Sequence, residues 1–333
     1  MAPSRITIYD VARSAGVSIS TVSRVLNTPQ LVNETTRQTV MDAIRQIGFI
    51  PKADARARAM REVGRIGVIT PFFTEPAFMQ RLRGIARRLH ETKYELVIYN
   101  VDSPARMYSY LERMTVTRNV DGLVLISLPF NNGAAEQLLA TSLEAVLLEF
   151  THPSFSGIEI DNTYGGQLAA DYLVNKGHRC IGFLGDVYLT DFPIQATEMR
   201  LEGFREKLHW HGLGLQPQYI ARAPFIKSDT VEAARRLLEL PNRPTALFIA
   251  ADTQAVWVLH LARQMGLRVP QDLAIIGFDD LDIADHVGLT TIRQPLDESG
   301  KVAIELLLSR LEDPNRSQQL VKLPLSIVER DTV

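Results

Sequence analysis

From Arg65 onward, short apolar runs rich in β-branched residues alternate with longer amphipathic segments, and no other feature constrains the fold as strongly. The runs with the length and composition of strands are 65–70, 95–101, 122–127, 145–149, 180–184, 246–250 and 273–277. Apolar residues recur at helical spacing between most of them, for example in 78–92, 164–176, 198–209 and 230–240. Repeated strand–helix units predict parallel sheets covered by helices on both faces.

This α/β region is longer than one sheet usually organises, at roughly 270 residues. Because 46% of the chain is apolar, real cores are expected. We therefore predict two Rossmann-like subdomains with a cleft between them, the architecture of periplasmic sugar-binding proteins. No Gly-x-Gly-x-x-Gly follows the first strand and no Walker sequence is present, so no nucleotide cofactor is expected.

The N-terminal stretch 7–27 has a different pattern, which predicts two short helices joined at Gly16. Apolar residues recur at 8, 11, 12 and 15 behind Thr7, a good N-cap residue. A second helix, which Ser18 can cap, has an apolar side and a polar stripe. The apolar side is Val22, Val25 and Leu26, and the stripe is Ser20, Ser23, Arg24 and Asn27. Such a pair is typical of a helix-turn-helix, whose second helix enters the major groove of DNA.

Three side chains of the second helix are suited to reading base edges. Arg24 can pair with the O6 and N7 of guanine, Ser20 can meet a base edge or a phosphate, and Ile19 can press on a thymine methyl. The alternative is an ordinary helical hairpin whose polar stripe is merely solvated.

A third helix and a linker follow this pair. Asn33 can cap a helix that carries Val40, Ile44 and Ile47 on one face and ends at Gly48. The next segment, 52–60, is rich in helix formers but has alanine as nearly its only apolar residue, so it cannot build a core. We expect it to order as a short helix on DNA; a plain flexible linker is the alternative.

Charge divides the chain into two unlike parts. Residues 1–65 contain ten Lys or Arg and five Asp or Glu, a balance of +5, and the remainder contains 26 and 33, a balance of −7. A basic end on an acidic body suits contact with phosphates by that end alone, because neutralised phosphates release counterions.

Several blocks of residues resemble one known family. Tyr-Asp-Val-Ala at 9–12, Ala-Gly-Val-Ser at 15–18 and Thr-Val-Ser-Arg-Val-Leu-Asn at 21–27 closely resemble the headpiece of LacI/GalR-family bacterial transcription repressors. Further blocks resemble the family's effector domain, at 160–166, 177–179, 200–204, 276–280 and 289–292. The resemblance implies an N-terminal all-α helix-turn-helix headpiece followed by an α/β effector domain of two Rossmann-like, periplasmic-binding-protein-like subdomains.

The resemblance also implies a division of the chain. The expected parts are a headpiece at 1–51, a hinge at 52–63 and an effector-binding and dimerisation domain at 64–333. Within the last, one subdomain is expected at about 64–162 plus 292–322, and the other at about 163–291 plus 323–333.

The DNA-contacting residues are expected in the headpiece and hinge. They are Thr7, Tyr9, Ser18, Ile19, Ser20, Thr21, Ser23, Arg24, Asn27, Arg56, Arg58 and Met60. Family members commonly insert a hinge leucine into the minor groove. The ungapped match puts Arg58 there, which favours a narrow groove by charge, whereas a shift of two residues brings Met60 to that place. The sequence leaves both alternatives open.

Ligands of open α/β sheets lie beyond the carboxyl ends of the strands, where this chain carries aromatic and acidic residues. Carboxylates accept hydrogen bonds from hydroxyl groups and aromatic faces stack on sugar C–H surfaces. Strand ends and the resemblance together, with Arg200 coming from the resemblance alone, give the expected effector site. It comprises Phe72, Phe73, Phe78, Ser127, Glu149, Arg200, Phe225, Asp252 and Asp279.

Some of these strand ends have plainer explanations. Asp102, Asp186 and Asp280 are better explained by capping or turn formation, and Phe72 and Phe73 fit a subdomain core equally well. Where relatives frequently have Asn-Asp, this chain has Ala251-Asp252, and Trp257 replaces a residue that is usually small. A smaller pocket or an unusual ligand is therefore expected.

Other classes of function find little support. The single Cys180 offers no disulfide, no metal-ligand spacing accompanies Asp279-Asp280, and no Gly-x-Ser-x-Gly elbow is present, so neither enzyme activity nor a metal is expected. With no membrane span and no signal-peptide core in the sequence, a cytoplasmic protein is expected.

The prediction is therefore a homodimeric repressor that binds a palindromic DNA operator under the control of a small molecule, a sugar or sugar derivative. The alternatives are a nucleobase-responsive corepressor type and a solute-binding module without a regulatory role.

Overall fold

The structure is a computed structural model, and it describes residues 6–27, 29–49, 63–128, 132–187 and 195–333. The described headpiece contains helices α1 (Ile8–Ala15), α2 (Ile19–Asn27) and α3 (Glu34–Ile47), with a 3-10 turn at Pro29–Leu31. Their apolar faces form one cluster, which includes Val11, Ala12, Val22, Val25, Val40, Ala43 and Ile44. The predicted three-helix headpiece is thus present.

Local signals fix the ends of these helices. The carboxylate of Asp10 accepts hydrogen bonds from the backbone N–H and the hydroxyl of Thr7, at 2.9 and 2.7 Å. The side chain of Asn33 accepts a hydrogen bond from the backbone N–H of Thr36 at 2.8 Å. Gly16 ends α1 with φ of +65°, the left-handed region that favours glycine.

The first α/β subdomain is built on a six-stranded sheet with strand order β11-β5-β4-β3-β1-β2. Its strands are β1 (Gly64–Thr70), β2 (Tyr94–Asn100), β3 (Gly122–Ile126), β4 (Glu144–Leu148), β5 (Ser156–Ile160) and β11 (Leu320–Leu323). Its helices are α4 (Pro76–Leu89), α5 (Pro104–Thr117), α6 (Asn132–Ala140) and α12 (Leu296–Glu312). All the strand pairs are parallel, as the strand–helix alternation predicts.

The second subdomain repeats this architecture, with strand order β12-β10-β9-β8-β6-β7. Its strands are β6 (Ile181–Val187), β7 (Ile220–Pro224), β8 (Ala246–Ile249), β9 (Ala274–Asp279), β10 (Thr290–Arg293) and β12 (Ser326–Val328). Its helices are α7 (Asn162–Asn175), α8 (Ala196–Trp210), α9 (Lys227–Leu238), α10 (Asp252–Gln264) and α11 (Asp282–Val287). Only β12 runs antiparallel to its neighbour within this sheet.

The chain passes between the two sheets after Ile160, after Arg293 and after Leu323. The last two crossings lie slightly later than the boundaries at 291 and 322 that the sequence predicts. They are later because β10 stays paired with β9 up to Arg293 and β11 stays paired with β5 up to Leu323.

The described helices of the two subdomains pack against the faces of their sheets. The longest of them, α12, has 17 residues and packs against α4 as well as β3 and β4. None of the described helices is both long and apolar enough to cross a membrane.

Candidate functional site

The predicted DNA-contacting residues of the second helix lie on the outer face of the headpiece. Val22 and Val25 are buried against the other two helices. Ser18, Ile19, Ser20 and Arg24 are exposed, whereas Thr7, Thr21 and Ser23 are partly buried. Tyr9 projects from α1 with 64% of its surface exposed. The exposed face of α2 therefore presents two small serines beside Ile19 and Arg24, a combination that suits close approach to a duplex.

Ser18 begins α2 and also orders the hydroxyls beside it. Its Oγ accepts a hydrogen bond from the backbone N–H of Thr21 at 3.1 Å and lies 2.7 Å from the Oγ of Ser20. This cap aims the first turn of α2 outward, where an N-terminal turn can approach phosphates or bases. The side chain of Asn27 and the hinge residues Arg56, Arg58 and Met60 lie outside the described residues, so the choice between Arg58 and Met60 stays open.

A cleft of about 550 Å³, open to solvent, lies between the two subdomains. Six predicted effector residues line it: Phe78, Ser127, Glu149, Arg200, Phe225 and Asp279. The sequence did not single out further lining residues, among them Glu75, Arg81, Thr197 and Gln294.

A chain of hydrogen bonds crosses the floor of the cleft. Glu149 of the first subdomain accepts hydrogen bonds from the hydroxyl of Ser127 and from the guanidinium of Arg81. Arg81 also donates to the Gln294 side-chain carbonyl at 3.0 Å. The amide NH₂ of Gln294 then donates to Asp279, at the end of β9. The two subdomains are thus joined through polar side chains at the place where a ligand would bind.

Arg200 is held rigidly on the other side of the cleft. Its Nε donates to the side chain of Asn162 at 2.8 Å, and its guanidinium donates to the carbonyl of Ala250. The guanidinium carbon lies 3.6 Å from the centre of the Phe278 ring. Helix α8 can place it there because α7 approaches closely: a Cβ on Gly166 would lie 1.9 Å from the carbonyl oxygen of Arg200. Larger residues at 166 would displace the arginine.

Three carboxyl groups of the cleft, those of Asp279, Glu149 and Glu75, have pKa values shifted by their surroundings. Burial raises the pKa of Asp279 to about 6, although Arg200 and Gln294 oppose the shift. Burial also opposes ionisation of Glu149, but Arg81 and Ser127 outweigh it and lower its pKa. Burial and the negative charges of Asp186 and Asp279 raise the pKa of Glu75 to about 8.

Several residues at or just after the ends of strands have a strained backbone. Non-glycine residues with positive φ include Phe72 (48°), Ser127 (54°), Glu149 (67°), Asp279 (120°) and Asp280 (56°). Each such conformation costs about 1–3 kcal/mol and typically persists at ligand sites. Three of these residues line the cleft, so the strain supports its role as a binding site.

Asp252, which the sequence predicts as an effector ligand, lies behind the cleft and is not among the residues that line it. It is fully buried, and its carboxylate accepts hydrogen bonds from the backbone N–H of Leu281 at 2.8 Å and the hydroxyl of Thr291 at 2.6 Å. It therefore ties the ends of neighbouring strands together behind the cleft. Thr253, the next residue, lines the cleft instead.

Phe72 and Phe73 also lie outside the lining of the cleft. Phe72 packs edge-on against Phe78, with ring centres 6.2 Å apart, and so supports a lining residue from behind. Phe73 is 38% exposed. Trp257 acts similarly to Phe72, since it stands 5.7 Å from the ring of Phe225.

Asp186 belongs to the cleft rather than to a turn or cap. It lies one residue before the end of β6, is 5% exposed and accepts a hydrogen bond from the hydroxyl of Thr197. The signal for Arg81 was present in the sequence, because it lies three residues after Phe78 and therefore on the same face of α4. Asp280, by contrast, pairs with Arg293 and Arg330.

Comparison with known proteins identifies the family. Residues 7–52 match the model of bacterial regulatory proteins of the lacI family, and residues 170–333 match that of the periplasmic binding protein-like domain. The chain is 34% identical over 334 residues to the ribose operon repressor of Escherichia coli (strain K12), covering 97% of this chain and 98% of the relative. This chain belongs to the lacI family of bacterial regulatory proteins.

A second relative of this lacI-family protein is the HTH-type transcriptional repressor PurR of Vibrio cholerae serotype O1. The two are 32% identical over 332 residues, covering 98% of each chain. Both relatives are transcriptional regulators by name, and the predicted function of a DNA-binding regulator with a small-molecule effector is confirmed at that level.

Solved structures of lacI-family proteins share the fold. A LacI family transcriptional regulator from Enterococcus faecium with bound ribose is 26% identical and superposes with a TM-score of 0.71, over 81% of this chain and 98% of that one. The lac repressor dimer bound to operator and the anti-inducer ONPF is 25% identical, with a TM-score of 0.69, over 98% and 99%. The predicted fold class is thereby confirmed.

Proposed function

We propose that this lacI-family regulator is a homodimeric repressor of a palindromic operator, released from DNA when a sugar or sugar derivative binds the cleft. The observation that carries this proposal is the strained, hydrogen-bonded cleft floor that joins the subdomains through Arg81, Gln294 and Asp279. In this scheme residues 1–51 read DNA, 52–63 form the hinge, and 64–333 bind the effector and the second subunit.

The chemistry of the cleft suits a polyhydroxylated ligand. Carboxylates of Glu149 and Asp279 accept hydrogen bonds from hydroxyl groups, and the guanidiniums of Arg81 and Arg200 donate to hydroxyl or ring oxygens. The rings of Phe78 and Phe225 offer apolar surface for the C–H faces of a sugar. The related Enterococcus faecium regulator was solved with bound ribose.

Contacts between the subdomains and the headpiece allow a ligand in the cleft to affect the position of the headpiece. Besides the cleft floor, Arg83 of α4 bridges the subdomains, with hydrogen bonds to Asp297 at 2.7 Å and to Asp282 of α11 at 2.6 Å. The first subdomain also contacts the headpiece, through an ion pair between Arg45 and Glu112. A ligand that binds one subdomain arrangement more tightly than the other shifts the population accordingly.

Exposed apolar side chains near the Arg83 bridge suit a subunit interface. Met79, one turn before Arg83 on α4, is 56% exposed, and Ile283, next to Asp282, is 42% exposed. Because these residues come from both subdomains, a partner bound there would respond to movement between them. The lac repressor relative was solved as a dimer on its operator.

Two related proposals complete the assignment. A planar nucleobase is the second candidate effector, because the rings of Phe78 and Phe225 both line the cleft and a stacked ring would contact both.

We also propose that the protein acts on DNA in the cytoplasm without catalysing a reaction, as a regulator of this family. Among the described residues, no group of three or more His, Cys, Asp or Glu is placed to hold a metal ion.

The test is a ligand screen by melting temperature, with sugars and purines side by side, followed by operator titrations with and without the compounds that stabilise the protein. We expect a sugar-type compound to raise the melting temperature and to weaken operator binding. Operator affinity should also fall steeply with ionic strength. Absence of preference for any promoter fragment over random duplex at physiological salt, with or without compounds, would refute the proposal.

A further inference from the structure

The cleft contains more carboxyl groups than its own arginines can pair with. Among the described residues, the ionisable side chains that line it are four carboxylates and two guanidiniums: Glu75, Glu149, Asp186, Asp279, Arg81 and Arg200. The guanidiniums are already committed, since Arg81 is paired with Glu149 and Arg200 lies 3.9 Å from Asp279. The two carboxyl groups left without a guanidinium are those of Glu75 and Asp186.

Asp186 presents a carboxylate oxygen that lacks a donor. Only 5% of the residue is exposed, and its Oδ1 accepts a hydrogen bond from the hydroxyl of Thr197. Its Oδ2 is buried without a hydrogen-bond partner among the described residues. An ionised oxygen left in this way is costly, because burial removes its hydration and supplies nothing in return. A donor from a ligand would satisfy it.

Glu75 faces the same part of the cleft. It immediately precedes α4, but its side chain makes no capping hydrogen bond to the helix and lines the cleft instead. The negative charges of Asp186 and Asp279 are close enough to raise its pKa. Two carboxylates that repel one another across a ligand site are the arrangement that a positive group stabilises.

We propose that the natural effector carries a protonated amino group, held between Glu75 and Asp186, on a polyhydroxylated frame such as an amino sugar. An ammonium group has three N–H donors and no acceptor, so it matches a pair of acceptor-only carboxylates. Hydroxyl groups of the same ligand meet Asp279, Glu149 and the two arginines. This inference rests on the proposed role of the cleft as the effector site, and it narrows the ligand class from sugars in general to cationic ones.

The first test compares ligands that differ in charge and little else. Calorimetric titrations of the full-length protein at pH 7 and fixed ionic strength would use 2-amino-2-deoxyglucose against glucose and against the N-acetylated amine. A second pair is tris(hydroxymethyl)aminomethane against pentaerythritol. We expect each amine to bind about tenfold or more tightly than its neutral partners, since hydrogen bonds to charged groups are the stronger ones. Equal affinities, or no binding by either amine at its highest soluble concentration, would overturn the inference.

The second test removes the carboxylates one at a time. Glu75→Gln and Asp186→Asn keep the size of each side chain and should each abolish most of the preference for the amine. The matched control is Glu202→Gln, which removes the same charge from an exposed position on α8 and should keep the wild-type preference. Preference that survives in both cleft variants would overturn the placement of the ammonium group.

The two proposals fail in different ways. If neutral sugars bind the wild type best and weaken operator binding, the charge inference is wrong and the repressor function stands. If the wild type shows no operator preference in the absence of any ligand, the proposed function is wrong whatever the cleft binds.

Discussion

In the headpiece, the candidate DNA-contacting side chains come from one short stretch, 7–27, and those at the front of α2 are exposed. In the cleft, the candidate ligand-contacting side chains come from positions as far apart as Glu75 and Gln294 and are held in hydrogen bonds to one another. The headpiece therefore separates stability from function, because one face of each helix packs and the other stays free for DNA. The cleft combines them, because the same buried charges hold the subdomains together and line the proposed effector site.

The cleft also stores unfavourable energy that the headpiece avoids. Helix ends in the headpiece are satisfied by caps and by glycine at positive φ. Strand ends in the cleft place Glu149 and Asp279 at positive φ and bury like charges together. Binding sites commonly tolerate such costs, because a ligand recovers part of them.

The largest expected effect is a loss of stability in a cleft variant that a matched headpiece variant does not share. Arg81→Ala should lower the free energy of unfolding by about 3–5 kcal/mol, because it leaves Glu149 buried without its cation. Urea denaturation measures this change. The matched headpiece change is Arg13→Ala, at a side chain that is 81% exposed, which should stay within about 0.5 kcal/mol of the wild type. Similar losses in both variants would remove the contrast.

A change on the reading face should affect DNA binding alone. Arg24→Ala should weaken binding to the cognate operator by about 1–3 kcal/mol and relax the preference at one base pair, with little change in melting temperature. Titrations on operators substituted at single base pairs measure it. Equal loss on every sequence would show that Arg24 contacts a phosphate instead.

Removal of a helix cap should show whether the headpiece unfolds independently of the two sheets. Asn33→Ala removes the acceptor for the Thr36 backbone N–H and should destabilise the headpiece by about 1 kcal/mol. Amide hydrogen exchange should detect faster opening in α3 but not in the two sheets. Thr35→Ala, in the same turn, is the control. Faster exchange throughout the second subdomain would mean that the regions unfold as one unit.

The last expected effect is a change in how stability depends on pH. The pKa of Glu75 in the folded protein, about 8, lies above its ordinary value of 4.5, so folding favours its protonated form. Its stabilising contribution is full below the ordinary pKa and is lost as pH rises towards 8. Glu75→Gln, which cannot ionise, should therefore melt about a few degrees higher than the wild type at pH 8.

The matched control for this pH effect is Glu202→Gln. It should follow the wild-type melting curve from pH 5 to pH 8, because the side chain is exposed. If Glu75→Gln and the wild type lose stability in parallel over this range, Glu75 is not buried among the other carboxylates.

Sequence alone determined the elements whose signals are local. Thr7, Gly16, Asn33 and Gly48 mark helix ends through capping and left-handed turns, and each marks a helix end in the structure. The strand–helix alternation likewise predicted two parallel sheets, because hydrophobic periodicity and length are properties of contiguous residues. The strands 156–160, 290–293 and 320–323 were not predicted, since runs of only four or five residues carry little signal before they pair.

Tertiary structure alone decided which strand ends line the cleft. Asp252 and Asp279 look alike in sequence, yet neighbouring groups from Leu281 and Thr291 draw Asp252 away from the cleft. Asp186 resembles a turn residue until the packing of α8 against β6 brings Thr197 to one of its oxygens and leaves the other without a donor. Such differences depend on contacts between residues distant in sequence, and only the folded chain brings those residues together.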